Sequence, residues 1–458
     1  MTEPLSHAVL PVSVRRAAGK AARSRLPRSA LGQWREAAPR PDPVEILVET
    51  SRHRIPDLLA IRWGRMAVSP FTFLRGAAAV MARDLGKGAD SGLRVQACGD
   101  CHLMNFGAFA TPEGNAVFDI NDFDETLPAP FEWDILRLAA SIAVAAMDGG
   151  RPRRAAADIV RAAVVAYRSR MGELAIQTPL EVWHDRIDIG DALVGQALPK
   201  LRNLAVRGAA EARHPDPVDP NFPRLAENDG GIWRFKDIPP LVRHFDGGRD
   251  DVHDLDTRAA FAAYRRCLQD DHRLLLDRYA LADVAFKVVG VGSVGTFCAV
   301  GLFLTADGAP LILQVKEASA SVLAPYAGAS RYANQGRRVV AGQKVIQGAS
   351  DPFLGWTEDG VGGRHFYVRR LKDRALASLG ELMERKALPD YAALCGRTLA
   401  RAHARSGDAA AIAGYLGKGE AFDEAVAGFA ARYAERTERD HAALVAAIRT
   451  GRLAAVAA

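Results

Sequence analysis

The sequence has no run of about 18 apolar residues, the length a helix needs to cross a bilayer. Its longest apolar run, Leu138–Met147, reads as a buried helix. The first 30 residues lack the apolar stretch of a secretory signal. Cysteine is scarce: five in 458 residues, an odd number that suits reduced thiols and a cytoplasmic setting rather than a disulfide framework. No internal repeat is present, which excludes a solenoid. Excess charge is also missing from most of the chain. The net charge of +6 sits wholly in residues 1–40, where eight Lys/Arg face two acids, and the rest is neutral. A basic partner surface for nucleic acid is therefore not expected, nor is membrane association. The arm reads either as an organelle transit peptide or, preferably, as a basic segment folded over an acidic surface.

What is present is globular: 49% apolar and 25% charged residues, in a chain long enough for two or three structural units. Residues 44–85 read as helical with a turn at Ser69-Pro70, residues 93–125 as short strands and loops, and residues 131–175 as helix. Residues 178–250 are punctuated by His214-Pro-Asp-Pro-Val-Asp-Pro220, Asp229-Gly-Gly231 and Pro239-Pro240, marks of irregular loops. Helix returns over 256–280, strand period over 284–316, and helix from 376 to about 448, where Phe422, Val426, Phe429 and Tyr433 share one face. The expected layout is a basic arm (1–40), a metal-loop half of a helical lobe (41–177), an irregular insert that could cap an acceptor site (178–255), a small strand-rich lobe (256–375) and C-terminal helices completing the large lobe (376–458).

Two constellations carry chemistry. In the first, Asp100, Asp119, Asp122, Asp124 and Glu125 fall within 26 residues, with Asn105 among them. The turn signal Thr111-Pro-Glu-Gly-Asn115 predicts a hairpin that sets Asp100/Asn105 beside Asp122/Asp124. Carboxylates and an amide oxygen on loops suit Mg²⁺, although short acids also cap turns without further function. In phosphoryl transfer one Asp takes the proton of the attacking hydroxyl, while an Asn and a second Asp hold the metal. Asp100 is the candidate base, Asn105 and Asp122 the candidate ligands, and Asp119 or Asp124 could assist. His102 is a candidate ligand or base, or a buttress of the loop.

In the second, Gly290-x-Gly292-Ser293-x-Gly295 is followed by strand-like residues, a turn at Ala306–Ala309 and a third strand ending at Lys316. A dinucleotide fold would need a helix after the glycines. Strand, glycine loop, strand, turn, strand with Lys instead describes an antiparallel flap whose amides and lysine can hold phosphates. A plain glycine hairpin with a surface lysine is the simpler alternative. Cys98-x-x-Cys101 would suit a redox dithiol or half a zinc site, but the sequence holds no second pair to complete a zinc site. Arg369 and Arg370 read as phosphate binders or, preferably, a solvated strand edge, Arg65 and Arg75 as phosphate anchors or ion-pair partners, Trp183 and Trp233 as small-core anchors or parts of an acceptor pocket, and His403 as a core or capping residue.

Together the two constellations resemble the protein-kinase-like superfamily, closest to its aminoglycoside and choline phosphotransferase branch. By that resemblance Asp100 matches the catalytic-loop Asp, Asn105 and Asp122 the metal residues, Gly290, Gly292 and Gly295 the nucleotide loop, Lys316 the phosphate-binding lysine, and Asp134 the Asp that buttresses the catalytic loop. More closely, the chain resembles the bacterial family catalogued as domain of unknown function 2252, through Arg65–Gly76, Gly99–Gly107, Asn121–Thr126, Val288–Thr296, Gln314–Ala318 and Arg401–Asp408.

Two features depart from the kinase pattern. The glycine loop follows the catalytic loop by about 190 residues instead of preceding it, so the lobe order would be circularly permuted. The helical Glu that pairs with the lysine is missing: between Ala318 and Thr357 the one acid is Asp351, and Gln335, Gln343 or Glu317 would have to substitute. The resemblance implies an α+β, two-lobed fold with a helix-rich large lobe and a small antiparallel-sheet lobe. It further implies ATP- and Mg²⁺-dependent phosphoryl transfer to an unidentified small-molecule or protein hydroxyl acceptor. Nucleotidyl (AMP) transfer, an inactive nucleotide-binding regulator and, least favoured, a thiol oxidoreductase using Cys98 and Cys101 are the alternatives.

Overall fold

A computed structural model describes residues 10–189, 222–244, 257–288, 290–359, 363–371, 379–384 and 386–456. The fold is mixed α+β, with a large helical body and several antiparallel sheets. The body's core is formed by the helices Phe131–Asp148, Arg153–Leu174, Leu388–Ser406 and Ala421–Arg449. The Phe131 helix is apolar on nearly every face and is buried accordingly. In the last helix Phe422, Val426, Phe429 and Tyr433 all point into the core, as their spacing predicts. The 44–85 stretch is four helices. Ser69 and Thr72 form a reciprocal capping box that starts the helix Pro70–Gly76, which is why the chain turns at Ser69-Pro70.

Two short ribbons carry the acidic loops. β1 (Arg94–Ala97), β2 (Phe106–Ala110), β3 (Ala116–Ile120) and β4 (Leu127–Pro130) pair as β1–β4 and β2–β3, both antiparallel. The β2–β3 turn closes through the Thr111 and Asn115 backbones, so the predicted hairpin is present. Further along, β5 (Ala226–Asp229) and β6 (Ile232–Phe235) form a hairpin whose turn is Gly230-Gly231. That stretch was expected to be an irregular loop, but glycine at positive φ is what a tight hairpin turn requires. The His214–Pro220 stretch lies outside the described residues.

β7 (Val242–Arg243), β8 (Ala280–Lys287), β9 (Cys298–Leu304), β10 (Pro310–Glu317), β11 (Gly355–Glu358) and β12 (His365–Arg370) build a six-stranded antiparallel sheet in the order β11-β12-β10-β9-β8-β7. Phe222, Leu225 and Phe235 pack on one face against Ala285, Val300 and Ile312. Residues 222–244 of the 178–255 insert thus belong to the sheet's core and edge, while residues 178–189 reach the body beside β3. Tyr264 and Leu268 cover the other face.

The basic arm packs on the body through residues 10–40. Its helix Val12–Ala21 crosses Ala409–Leu416 so closely that a Cβ on Gly19 would stand 1.8 Å from the Ala411 carbonyl oxygen. Arg23 donates to the Gly414 and Tyr415 carbonyls, and Arg28 to that of Leu416. Guanidinium groups there satisfy the open C-terminal carbonyls of a helix and oppose its dipole. Arg15 pairs with Asp408, and Arg40 with Asp84 and Asp440. Arg25 pairs with Asp90, so the arm's counterpart is a helix end together with four buried or half-buried acids. No described helix is long and apolar enough to cross a membrane.

Candidate functional site

Asp100 follows β1 and Asn105 precedes β2, while Asp122 and Asp124 lie between β3 and β4. The two ribbons thereby place both loops side by side: the Asn121 amide donates to the Asn105 carbonyl at 2.9 Å. Gly99 makes this approach possible. Its φ is +87°, and a Cβ there would stand 2.3 Å from the Glu125 carbonyl oxygen.

The Asp100 loop is held from behind by Asp134, whose carboxylate accepts the Cys98 and Gly99 amides at 2.8 and 3.0 Å. His403, fully buried, links Asp134 to the Tyr167 hydroxyl. Arg137, one turn further along the same helix, donates from Nε to Asp100 Oδ1 at 2.9 Å, and its Nη2 stands 2.7 Å from the same oxygen as an ion pair. Oδ2 accepts no hydrogen bond among the described residues. Burial raises the Asp100 carboxyl above the usual range, although Arg137 opposes this.

Burial, reinforced by Arg75 and Arg137, holds the His102 ring neutral. Its Nδ1 accepts the Met104 amide at 3.2 Å, so the ring proton sits on Nε2, 3.9 Å from Asp100 Oδ2. His102 thus shapes the loop. Asn105 donates from its amide nitrogen to the Asp100 carbonyl, which leaves its side-chain oxygen for a ligand.

The sheet supplies the opposite wall. The glycine loop joins β8 to β9, as strand period predicts, and Lys316 is the penultimate residue of β10. A Cβ on Gly292 would lie 4.0 Å from Asp100 Oδ2. Three contacts fix the loop to the body: Arg62 donates to the Gly292 carbonyl, Arg54 to that of Val294, and the Ile55 amide to that of Gly295. Leu58 packs with Phe286, Val294 and Phe297 beneath it.

Lys316 is buried. It forms an ion pair with Asp124 and stands 3.8 Å from Asp122. Asp124 also accepts the Tyr367 hydroxyl at 2.7 Å and the Ser293 hydroxyl at 3.2 Å. Burial pushes the Asp124 carboxyl up, but the Lys316 charge and its hydrogen bond outweigh this and hold it below the usual range. Lys316 is lowered by burial, yet the Asp122 and Asp124 charges leave it above an ordinary lysine. Among the described residues no helical residue pairs with Lys316. Gln335 accepts from Arg338, Gln343 donates to Gln347, and Glu317 accepts the Phe297 amide. The helix Gln335–Ile346 contributes Arg338 instead, which holds the Asp124, Thr126 and Ser319 carbonyls.

Asp100, His102, Asn105, Asp122, Asp124, Gly290, Gly292, Ser293 and Lys316 line one cavity of about 600 Å³, and Gly295 anchors its roof. Two expectations need correction. Asp119 is not a metal candidate: it points into the core, where Arg401 and the Gly348 amide take its carboxylate. Arg369 is not a solvated edge residue: it is buried, lines the cavity and donates to the Asn121 carbonyl. Trp183 and Trp233 do not line this cavity; Trp183 lies under the Arg405 guanidinium and Trp233 against Phe222.

Ligand atoms of Cys98, Cys101 and Asp134 lie within 4.8 Å of one another, but in the core. Burial raises both thiols, the opposite of what a reactive dithiol needs. A second cavity, about 100 Å³ and apolar, lies between the sheet and Tyr264 and offers no charged group.

Sequence reasoning missed Arg137, Tyr367 and the Arg54/Arg62 clamp. Arg137 had a signal, being the lone cation beside the longest apolar run. The others answer contacts more than 190 residues away in the chain.

The fold and cleft define an α+β protein in which a glycine loop and a buried lysine, carried on an antiparallel sheet, close over two carboxylate loops of a helical body. The chain belongs to the bacterial family described as an uncharacterized protein conserved in bacteria (DUF2252), whose model matches residues 54–447. No curated protein and no solved structure matches the chain.

Proposed function

We propose that this protein is an ATP- and Mg²⁺-dependent phosphotransferase acting on a hydroxyl acceptor, with a permuted protein-kinase-like arrangement of its site. One observation carries the reading. The glycine loop and Lys316, about 190 residues downstream in the chain, share a single cavity with Asp100 and Asp122, and Gly292 stands directly over the Asp100 carboxylate. The volume suits a nucleotide.

Asp100 Oδ2 takes the acceptor's hydroxyl proton as that oxygen bonds to the terminal phosphorus. The bond from phosphorus to the bridging oxygen breaks, and ADP leaves with the electron pair. Arg137 holds Oδ1 and so aims Oδ2, and burial, by raising the carboxyl, makes it a stronger base than an exposed aspartate. The backbone amides of Gly290–Gly295 and the Lys316 ammonium position the phosphates.

The metal donors fit a hard cation: the Asn105 side-chain oxygen and the Asp122 carboxylate are oxygen ligands at the cavity wall. When bound, Mg²⁺ would offset the charge that develops on the transferring group.

Calorimetry with Mg-ATP on the wild type and on Asp122→Ala tests this. Binding by the wild type and its loss in the variant are expected. No binding by the wild type, or unchanged binding and turnover in the variant, refutes the reading. The mass of a modified acceptor separates phosphoryl from AMP transfer, and binding without transfer over a broad acceptor screen would identify a regulator.

A further inference from the structure

Every lysine or arginine of the cavity has a protein partner among the described residues, except one. Lys316 pairs with Asp124, Arg54 and Arg62 hold the glycine-loop backbone, and Arg369 holds the Asn121 carbonyl. Arg75 lines the same cavity and makes no hydrogen bond or ion pair; its Nε is buried without a partner. The neighbouring carbonyls that could have served it are taken, that of Leu74 by Arg137 and that of Gly76 by Arg62.

Its place is specific. Arg75 is the penultimate residue of the helix Pro70–Gly76, and its carbonyl oxygen lies 3.3 Å from where a Gly292 Cβ would stand. It is therefore beneath the glycine loop. Arg75 lines the cavity together with Asp100 and Asp122 and bonds neither; burial lowers its pKa and their charges oppose this. A half-buried guanidinium left without acceptors costs the fold stability, and its fork of donors matches phosphoryl oxygens in a bidentate way.

We infer that Arg75 clamps the terminal phosphoryl group of a nucleoside triphosphate, between the Asp100 base and the Asp122 ligand. The inference rests on the phosphotransferase reading above. It deepens that reading by assigning the γ-phosphate contact to the first helical segment rather than to the sheet.

The test is calorimetric titration of the full-length wild type, Arg75→Met and Arg75→Gln with Mg-ATP and with Mg-ADP, alongside thermal melts. The wild type should bind ATP more tightly than ADP. In both variants ATP affinity should fall roughly tenfold or more, the size of a lost charge-assisted hydrogen bond, and ADP affinity should hold. Arg75→Met should melt at or above the wild-type temperature, because it removes an unpaired charge.

If the wild type binds neither nucleotide, the phosphotransferase reading falls and takes this inference with it. If the wild type binds both but without preference for ATP, or a variant keeps the ATP/ADP ratio, Arg75 alone is overturned. Melts well below wild type in both variants would overturn it too, since they would assign Arg75 a packing role.

Discussion

Replacing Lys316 with Met should destabilise the protein by about 2 kcal/mol at pH 7. Removing one partner of a buried pair costs about 3–5 kcal/mol, because the other charge is left unanswered in a poor solvent. Lys316 meets that condition, its side chain being 4% exposed, but Asp124 retains 27% exposure and the bonds from Tyr367 and Ser293. Water and those hydroxyls answer part of its charge, which brings the cost down from that range. Met preserves the apolar stem, so lost packing adds little.

The effect also has a pH signature. Asp124 is held below its ordinary value in the folded state, so its contribution is present above about pH 4 and is lost as pH falls through the carboxylate range. Lys316 is held above its ordinary value, so its contribution is present below about pH 10 and lost as pH rises beyond that. The gap between wild type and variant should therefore be widest near neutrality. Urea titrations from pH 2 to pH 8 measure it, the gap shrinking below about pH 4. In a double-mutant cycle, Lys316→Met with Asp124→Asn should be less destabilised than the sum of the singles by about 1 kcal/mol or more. Additive singles, or a gap that does not change with pH, would refute the ion pair as the cause.

Glu125 accepts the Val322 amide, and burial raises its carboxyl to about 7. Because the folded group binds its proton more tightly than the unfolded one, it should lower stability as pH rises from about 4.5 to 7. Glu125→Gln, which keeps the acceptor, should match the wild type at pH 4 and exceed it by up to about 3 kcal/mol at pH 8 in urea titrations; equal curves at pH 8 would count against this. A side chain at Gly19 would collide with the Ala411 carbonyl. Gly19→Val should therefore release the arm, and limited trypsin digestion should cut within residues 10–40 of the variant much faster than in the wild type.

Much of this architecture was legible in the chain because it is local. The Phe422, Val426, Phe429, Tyr433 face, the Ser69 cap and the Thr111–Asn115 turn are each decided within a dozen residues, by helical period, a short polar side chain or a turn residue. The Asp100, Asn105 and Asp122 grouping was legible for the same reason, since one hairpin brings them together. Asp119 was misread because every residue of β3 is buried. The alternation that separates inward from outward side chains is absent there, and only the position of Arg401 shows where the carboxylate goes.

Residue types and spacing thus determined the elements, the two constellations and the neutral body beneath a basic arm. Tertiary packing decided how they meet. It set Lys316 on Asp124 rather than on a helical acid, fixed the glycine loop with Arg54 and Arg62, and left Arg75 without a partner. It also directed Arg23 and Arg28 of the arm onto a helix end. A guanidinium or ammonium goes to whatever acceptors the fold brings within about 3 Å, and that distance is set by helices and strands far apart in the chain.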